Sequence, residues 1–237
     1  MKVAIMQPYF YPYLGYFSLI AQADKFIIFD TPQFMRKGWI ERNRIIKESG
    51  GASYIKVPLV KAPLGTPINE VLIDNVSDWK NKVIAQLNVY KKKAPYFHAV
   101  LELVSKSLSN DVDTICELNK IVLVDICEYL NISTEISVFS EMDLDIISPE
   151  APDEWALNIC LALGYDNYIN ASGGQSFFDK SKYQSKGIKL SFINQPLPEY
   201  KQLGKEFEVG LSIIDILMFN SKEDTLEMLN SGSLDNL

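Results

Sequence analysis

Histidine is almost missing from this chain: there is one, His98, among 237 residues. A Ser-His-Asp or Cys-His mechanism has to run through that single imidazole. Its flanking aromatics, Tyr96 and Phe97, predict a packed, satisfied side chain instead. Cysteine is scarce too. Cys116, Cys127 and Cys160 lack CxxC spacing and sit in apolar helical contexts, which predicts buried free thiols. One histidine without a cysteine cluster leaves a transition-metal site unsupported, and no cofactor is expected. Neither GxGxxG nor GxxxxGK(S/T) occurs, which removes the dinucleotide-binding and P-loop fingerprints.

Long apolar runs are absent as well. No stretch approaches the roughly 20 residues that a bilayer-spanning helix requires, so no membrane insertion is expected. The first apolar run, Val3 to Met6, is broken by Gln7-Pro8, short of the about 7–15 residues of a secretory signal. The chain therefore reads as cytoplasmic. Cations are in the minority, 23 Lys and Arg against 30 Asp and Glu, for a net charge of −7. A general nucleic-acid binder carries the opposite balance, because neutralising phosphates needs clustered cations, and no nucleic-acid partner is expected.

What is present is a globular composition. Apolar residues make up 47% and charged residues 22%, which excludes a disordered chain. At roughly 150 residues per domain, the length predicts a single domain over residues 1–237. Short apolar runs stopped by polar or turn residues predict strands at 2–6, 26–29, 54–59, 135–139, 167–171 and 188–193. Helical spacing is found at 13–22, 79–90, 96–107, 112–129 (with Asp111 as its cap), 152–163 (closed by Gly164), from about Gln175, and at 209–219 and 222–229. Alternation of the two element types predicts an α/β fold with a parallel sheet, and the run of helices a helical insertion at about 78–132. Ser231-Gly232-Ser233 predicts a loose tail.

In parallel sheets, ligands collect at the carboxyl ends of the strands. Three such ends are unusual here. After the first strand come Gln7, Tyr9, Tyr11 and Tyr13, in a stretch to Phe17 with six aromatics, two prolines and a glycine. This is either a hydrophobic plug or a stiff aromatic wall whose hydroxyls are polar handles. After the second come Asp30, Gln33, Arg36, Lys37, Trp39, Arg42 and Asn43, with five cations and one acid between Arg36 and Lys47. Such a patch is either a solvated face or a site for a small anion such as a phosphate, with Trp39 able to stack a base or sugar. After the strand at 167–171, Ser172-Gly173-Gly174 is a turn that can present backbone N–H groups to an anion or merely reverse the chain. The stretch from Glu141 to Glu154 holds six acids and no base, a solvated loop or a hard-cation site.

The blocks VAIMQPYFYPYLGYFSLI, DKFIIFDTPQFMRKGWIERNRI and YINASGGQSFFDKSKYQSKGIKLSF resemble the WbqC-like proteins over nearly the whole chain. That resemblance implies a place in bacterial surface polysaccharide or O-antigen biosynthesis. The enzyme it implies acts on a nucleotide-linked amino sugar, transferring an acyl or aminoacyl group to the amine. The rhythm of the first strand, the Gly15-Tyr16-Phe17 helix start and the second strand also resembles nucleotidyltransferases with a HIGH signature, such as pantothenate synthetases. This likeness implies a Rossmann-like sheet. The histidines of that signature are replaced here by Leu14-Gly15-Tyr16-Phe17, which argues against adenylyl transfer.

The expected partners are thus a sugar nucleotide and an acyl or aminoacyl donor. Arg36, Lys37 and Arg42 are the candidates for phosphates, Gln33 and Asn43 for polar positioning, Tyr9, Tyr11 and Trp39 for pocket walls, and Asp30 for the base. An ATP-dependent ligase or nucleotidyltransferase-like enzyme, and a non-catalytic sugar-nucleotide or glycan-binding protein, are the alternatives.

Overall fold

Residues 1–236 are described in the structure, a computed structural model. The chain runs β1 (Lys2–Met6), α1 (Leu14–Gln22), β2 (Lys25–Ile28), β3 (Arg42–Ile46), β4 (Ala52–Lys56), α2 (Trp79–Gln86), α3 (Phe97–Ser109), α4 (Ile115–Tyr129) and β5 (Glu135–Val138). It continues through α5 (Glu154–Leu163), β6 (Asn167–Ala171), α6 (Lys180–Ser185), β7 (Lys189–Asn194), α7 (Ile213–Phe219), α8 (Lys222–Asn230) and β8 (Ser233–Asn236). This is an α/β fold with a mostly parallel six-stranded sheet flanked by helices, in the order β5-β2-β1-β6-β7-β8. All pairings are parallel except β7 with β8.

Period-two alternation divides the core. Ala4, Phe26, Ile28, Ile169 and Ile193 face one layer, which holds α1, α4, α7 and α8. Val3, Ile5, Ile27, Tyr168, Leu190 and Phe192 face the other, packed by Ala156, Leu157, Ile159 and Cys160 of α5 and Tyr183 of α6. Both faces being covered explains why the strands are short, nearly continuous apolar runs. The strand order reverses between β1 and β6, so their carboxyl ends flank the crevice that this topology leaves open.

Several expected boundaries move, each for a local reason. The run expected at 54–59 is β4 at 52–56, and it lies outside the main sheet. It pairs antiparallel with β3, a strand hidden in the sequence by its arginines. The main sheet takes β8 as its sixth strand instead, so residues 233–236 form an edge strand where a loose tail was expected; Leu237, the end of that expected tail, lies outside the described residues. Gly173-Gly174 does not lead into an α-helix at Gln175: Ser172–Phe177 is a 3-10 turn, and α6 begins after Asp179 accepts from the Ser181 N–H at 2.9 Å. In the C-terminal half, Ser212 rather than Val209 opens α7, with its Oγ accepting from the Ile214 N–H. Gly164 closes α5 in the left-handed region (φ 71°), and the Tyr165 N–H returns to the Cys160 carbonyl at 3.0 Å.

The start of α4 moves from Asp111 to Thr114. Ile73 and Ile115 donate backbone hydrogen bonds to Asp113 and Val71, holding the segment extended up to Thr114. Thr114 Oγ1 then accepts from the Glu117 N–H at 3.2 Å, and the Glu117 carboxylate accepts from the Thr114 N–H at 3.1 Å. Thr114→Ala is expected to lower stability by about 1 kcal/mol in urea unfolding. Asp111→Ala, which removes only an exposed ion pair to Lys80, should stay within about 0.5 kcal/mol.

Candidate functional site

The loop from Gln7 to Tyr13 is built first, because it forms the rim of the reversal. Two prolines remove two N–H donors, while every carbonyl still needs a partner if the loop is to be buried. Those partners come from distant elements. Asn43 on β3 donates its Nδ2 hydrogens to the carbonyls of Phe10 (3.1 Å) and Tyr11 (2.9 Å). Asn119 on α4 donates to Pro8 (3.0 Å) and Ile40 (2.9 Å), and Ser212 Oγ donates to Tyr11 (2.8 Å). The Tyr16 hydroxyl donates to the Gln7 carbonyl at 2.8 Å, and the Ile213 N–H to that of Pro12 at 2.8 Å. Tyr11 is held at φ 42°, in the left-handed region that a tyrosine rarely adopts, and this density of anchors is what keeps it there.

The strained turn sorts the aromatic side chains. Phe10 and Tyr11 point inward and are fully buried, so Tyr11 is a core residue and not the expected pocket wall. Tyr9 and Tyr13 point to the other side and line a cavity of about 1090 Å³ at the ends of β1 and β6. The Tyr13 ring lies over Gly15: a Cβ on Gly15 would sit 2.6 Å from its Cε2, so a larger residue there would displace the ring.

Gln7, Trp39, Asn43, Ser172, Gly173 and Gly174 line the same cavity. Residues singled out at the three strand ends therefore share one space. Sequence reasoning missed Phe29, Trp155, Tyr168, Gln195, Leu197 and Gly210, which also line it. Phe29 directly follows β2 and gave a visible signal. Trp155, Gln195 and Gly210 belong to no motif and are brought in only by the topology.

The charged candidates lie elsewhere. Alternation along β3 puts Asn43 toward the loop and Arg42 on the opposite face, where its guanidinium stacks over Tyr54 at 4.3 Å and donates to the Lys37 carbonyl. Arg36 is exposed and donates to the Ala62 carbonyl at 3.2 Å. Lys37 is exposed at φ 61°, with its N–H held by the Glu41 carboxylate. Gln33 is exposed and bridges Pro67 through its backbone. None of these four lines the cavity.

Asp30 does not line it either. Its carboxylate is completely buried, accepts from the Ser140 N–H (3.1 Å) and the Ser140 hydroxyl, and has Cys116 Sγ at 3.8 Å. Burial, with Asp30 adding to it, pushes the Cys116 thiol up to about 12, so no thiolate forms there. His98 is exposed on α3 rather than packed. Two acids of the 141–154 stretch, Asp153 and Glu154, are paired with Lys182 at 3.0 and 2.7 Å. Among the described residues no group of three or more His, Cys, Asp or Glu is placed to hold a metal ion.

The lining therefore contains no Asp, Glu, Lys, Arg, His or Cys side chain among the described residues. Its titratable groups are phenols, and burial raises all of them: Tyr9, Tyr13, Tyr16 and Tyr168. They stay protonated and act as donors, not bases. The Gln7 side-chain amide has no hydrogen-bond partner among the described residues and is free for a ligand. Such a wall suits an uncharged, ring-shaped ligand carrying hydroxyl and amide groups.

One wall is tied down by a buried acid. Asp215 on α7 is completely buried and accepts from the hydroxyls of Tyr90 (2.6 Å) and Tyr200 (2.7 Å). Tyr200 lies between the cavity residues Leu197 and Gly210. Burial raises the Asp215 carboxyl. The folded state thus holds the proton more tightly than the unfolded chain, whose value is about 3.9. Its contribution is fully present below that value and is lost as pH rises through the folded one. The stability of the wild type minus that of Asp215→Asn, followed by urea unfolding from about pH 4 upward, should fall as pH rises. In the same assay Asn43→Leu, which strands the Phe10 carbonyl and leaves the Tyr11 carbonyl with Ser212 alone, should cost about 1–3 kcal/mol without changing the unfolding slope.

A model of the WbqC-like protein family matches residues 7–227 of this chain. The uncharacterized protein Rv1507c of Mycobacterium tuberculosis (strain ATCC 25618 / H37Rv) is 32% identical over 219 residues, covering 91% of this chain and 92% of that protein. No solved structure matches the chain. No helix among the described residues is long and apolar enough to cross a membrane. The match spans β1's end, the aromatic loop and both flanks of the cavity, and the chain belongs to the WbqC-like protein family.

Proposed function

We propose that the cavity binds a nucleotide-linked amino sugar in the cytoplasm and that the protein transfers an acyl or aminoacyl group to the sugar amine, as a step in surface polysaccharide biosynthesis. The observation that carries this reading is the uncharged, ring-lined wall at the β1–β6 reversal with the free amide of Gln7. Aromatic faces suit sugar and base rings, and the amide and hydroxyls suit sugar substituents. The phosphates belong at the open mouth beside Gly173 and Gly174, not on Arg36, Lys37 or Arg42.

In this reaction the amine attacks the acyl carbonyl carbon and the new C–N bond forms. The bond from that carbon to the donor's oxygen or sulfur breaks, and the leaving group takes the amine proton. Among the described residues the lining holds no carboxylate, imidazole or amine to act as base. Its contributions are orientation, worth several kcal/mol by the effective molarity of a held pair (~7 at the low end), and N–H donors toward the developing oxyanion, about 3 kcal/mol for one good donor. Gln7 is the candidate for that donor.

The lack of charged or thiol side chains in the lining among the described residues also favours a second reading, ligand binding without turnover. A thermal-shift panel of UDP- and dTDP-linked amino sugars, ATP with magnesium, and acetyl-CoA separates the possibilities. A ligand at 100 times its Kd adds about 2.7 kcal/mol. A sugar nucleotide should raise the Tm, Gln7→Ala should reduce the shift, and Arg36→Ala and Arg42→Ala should leave it unchanged. Acylated product in the presence of donor supports the transferase; a shift without product supports the binding protein, and a shift with ATP alone contradicts both.

A further inference from the structure

The cavity is longer than one ring. Its lining runs from Phe29 at the end of β2 to Ile193 and Gln195 at the end of β7, with β1 and β6 between. Three inter-strand gaps of about 4.8 Å make a trough of roughly 14 Å, long enough for two rings joined by a linker. The two ends differ in chemistry. The β7 end is aliphatic and amide-bearing, with Leu19, Ile193, Gln195 and Leu197. At the β2 end three rings from three separate elements meet: Phe29 after β2, Phe139 after β5 and Trp155 in the first turn of α5.

Their geometry is that of a fixed box. Phe29 and Phe139 stand 5.4 Å apart at 68°, Phe29 and Trp155 5.5 Å apart at 56°, and Phe139 and Trp155 5.9 Å apart at 85°. Each ring is braced by the other two, yet Phe29 and Trp155 are only half-buried and both line the cavity. Thr31, two residues on from Phe29, also lines the cavity, with its hydroxyl oxygen buried. Trp39, by contrast, is 41% exposed at the edge and has no ring neighbour among the described residues. A braced, half-open aromatic face fits a planar heterocycle.

We propose that Phe29 and Trp155 form a nucleobase-stacking subsite that takes the base of the sugar nucleotide, with the sugar held over β1 and β6 near Gln7. This rests on the sugar-nucleotide reading above. Base-on-aromatic stacking tolerates any base, so the Trp155 ring supplies affinity whichever base is carried.

Tryptophan emission tests the assignment in the full chain. Of the three tryptophans, Trp79 is buried against Asn75 and away from the cavity, leaving Trp39 and Trp155 to report. The probes are UDP, dTDP, GDP, ADP, acetyl-CoA and UDP- and dTDP-linked amino sugars, with binding measured in parallel by calorimetry. UDP or dTDP should quench the wild type and Trp39→Phe but not Trp155→Phe, and Trp155→Ala should weaken its binding about 10- to 100-fold. Trp155→Phe, which keeps a ring, guards against a folding defect, and matched melting curves check both variants. A quench that survives in Trp155→Phe and vanishes in Trp39→Phe, or sugar-nucleotide binding unaffected by Trp155→Ala, overturns the subsite and leaves the sugar-nucleotide reading standing. A quench by ADP or acetyl-CoA alone gives the box to the donor and overturns the assignment. If no nucleotide or sugar nucleotide binds the wild type by either method, the reading and the subsite fall together.

Discussion

The hydrogen-bond demand of the loop from Gln7 to Tyr13 is the constraint on which the rest of this structure depends. A loop buried at the end of a central strand must find a partner for each carbonyl, and its two prolines remove two of the N–H donors it could offer itself. Asn43, Asn119, Ser212 and Tyr16 supply those partners from β3, α4, the cap of α7 and α1. Four elements scattered from residue 16 to residue 212 are thereby fixed to one segment. The same bonds hold Tyr11 in its left-handed conformation, which turns Phe10 and Tyr11 into the core and leaves Tyr9 and Tyr13 for the cavity. The wall of the site and the packing behind it are two sides of one arrangement.

The second consequence is electrical. Polar capacity near the cavity is used as neutral amides and phenols, while the charged groups are held on outer faces or, in Asp30 and Asp215, in closed hydrogen-bond sets behind the wall. A cavity of this kind discriminates by ring shape and hydrogen-bond pattern, since an unpaired ion entering it would lose hydration without compensation. On the proposed sugar-nucleotide reading, such a cavity suits the sugar and base portions of the ligand better than its phosphates. On the proposed transferase reading, the chemistry rests on holding two reactants in register, with the proton passing between the reactants themselves.

Much of the fold was legible in the sequence. Apolar runs stopped by Gln7, Asp30 and Ser172 marked three parallel strand ends, and Gly164 marked the end of α5, because each is a local signal that tertiary packing did not override. The β3 strand was hidden because Arg42, Asn43 and Arg44 suggest a ligand patch, and only pairing with β4 makes sense of their alternation. The β8 strand was hidden because Ser-Gly-Ser carries a turn signal, while the sheet edge that recruits the following residues is non-local. For the site, the aromatic loop and the Gly-Gly turn were readable as residues at strand ends. The roles expected for Arg36, Lys37, Arg42 and Asp30 rest on charge beside a strand end, whereas side-chain direction decides them. One residue along a strand reverses the face, and burial with Ser140 closes off a carboxylate that sequence position leaves open. Trp155 and Gln195 had no readable signal, because they reach the cavity through strand order, which a sequence does not display.

The most direct measurement is a crystal structure of the protein soaked or grown with a UDP- or dTDP-linked amino sugar. The account predicts ligand density along the strand ends between β2 and β7, with a ring against the aromatic wall and a polar substituent at Gln7. Density on the outer face of the β3–β4 hairpin, against Arg36, Lys37 or Arg42, with the cavity left to solvent, would contradict it.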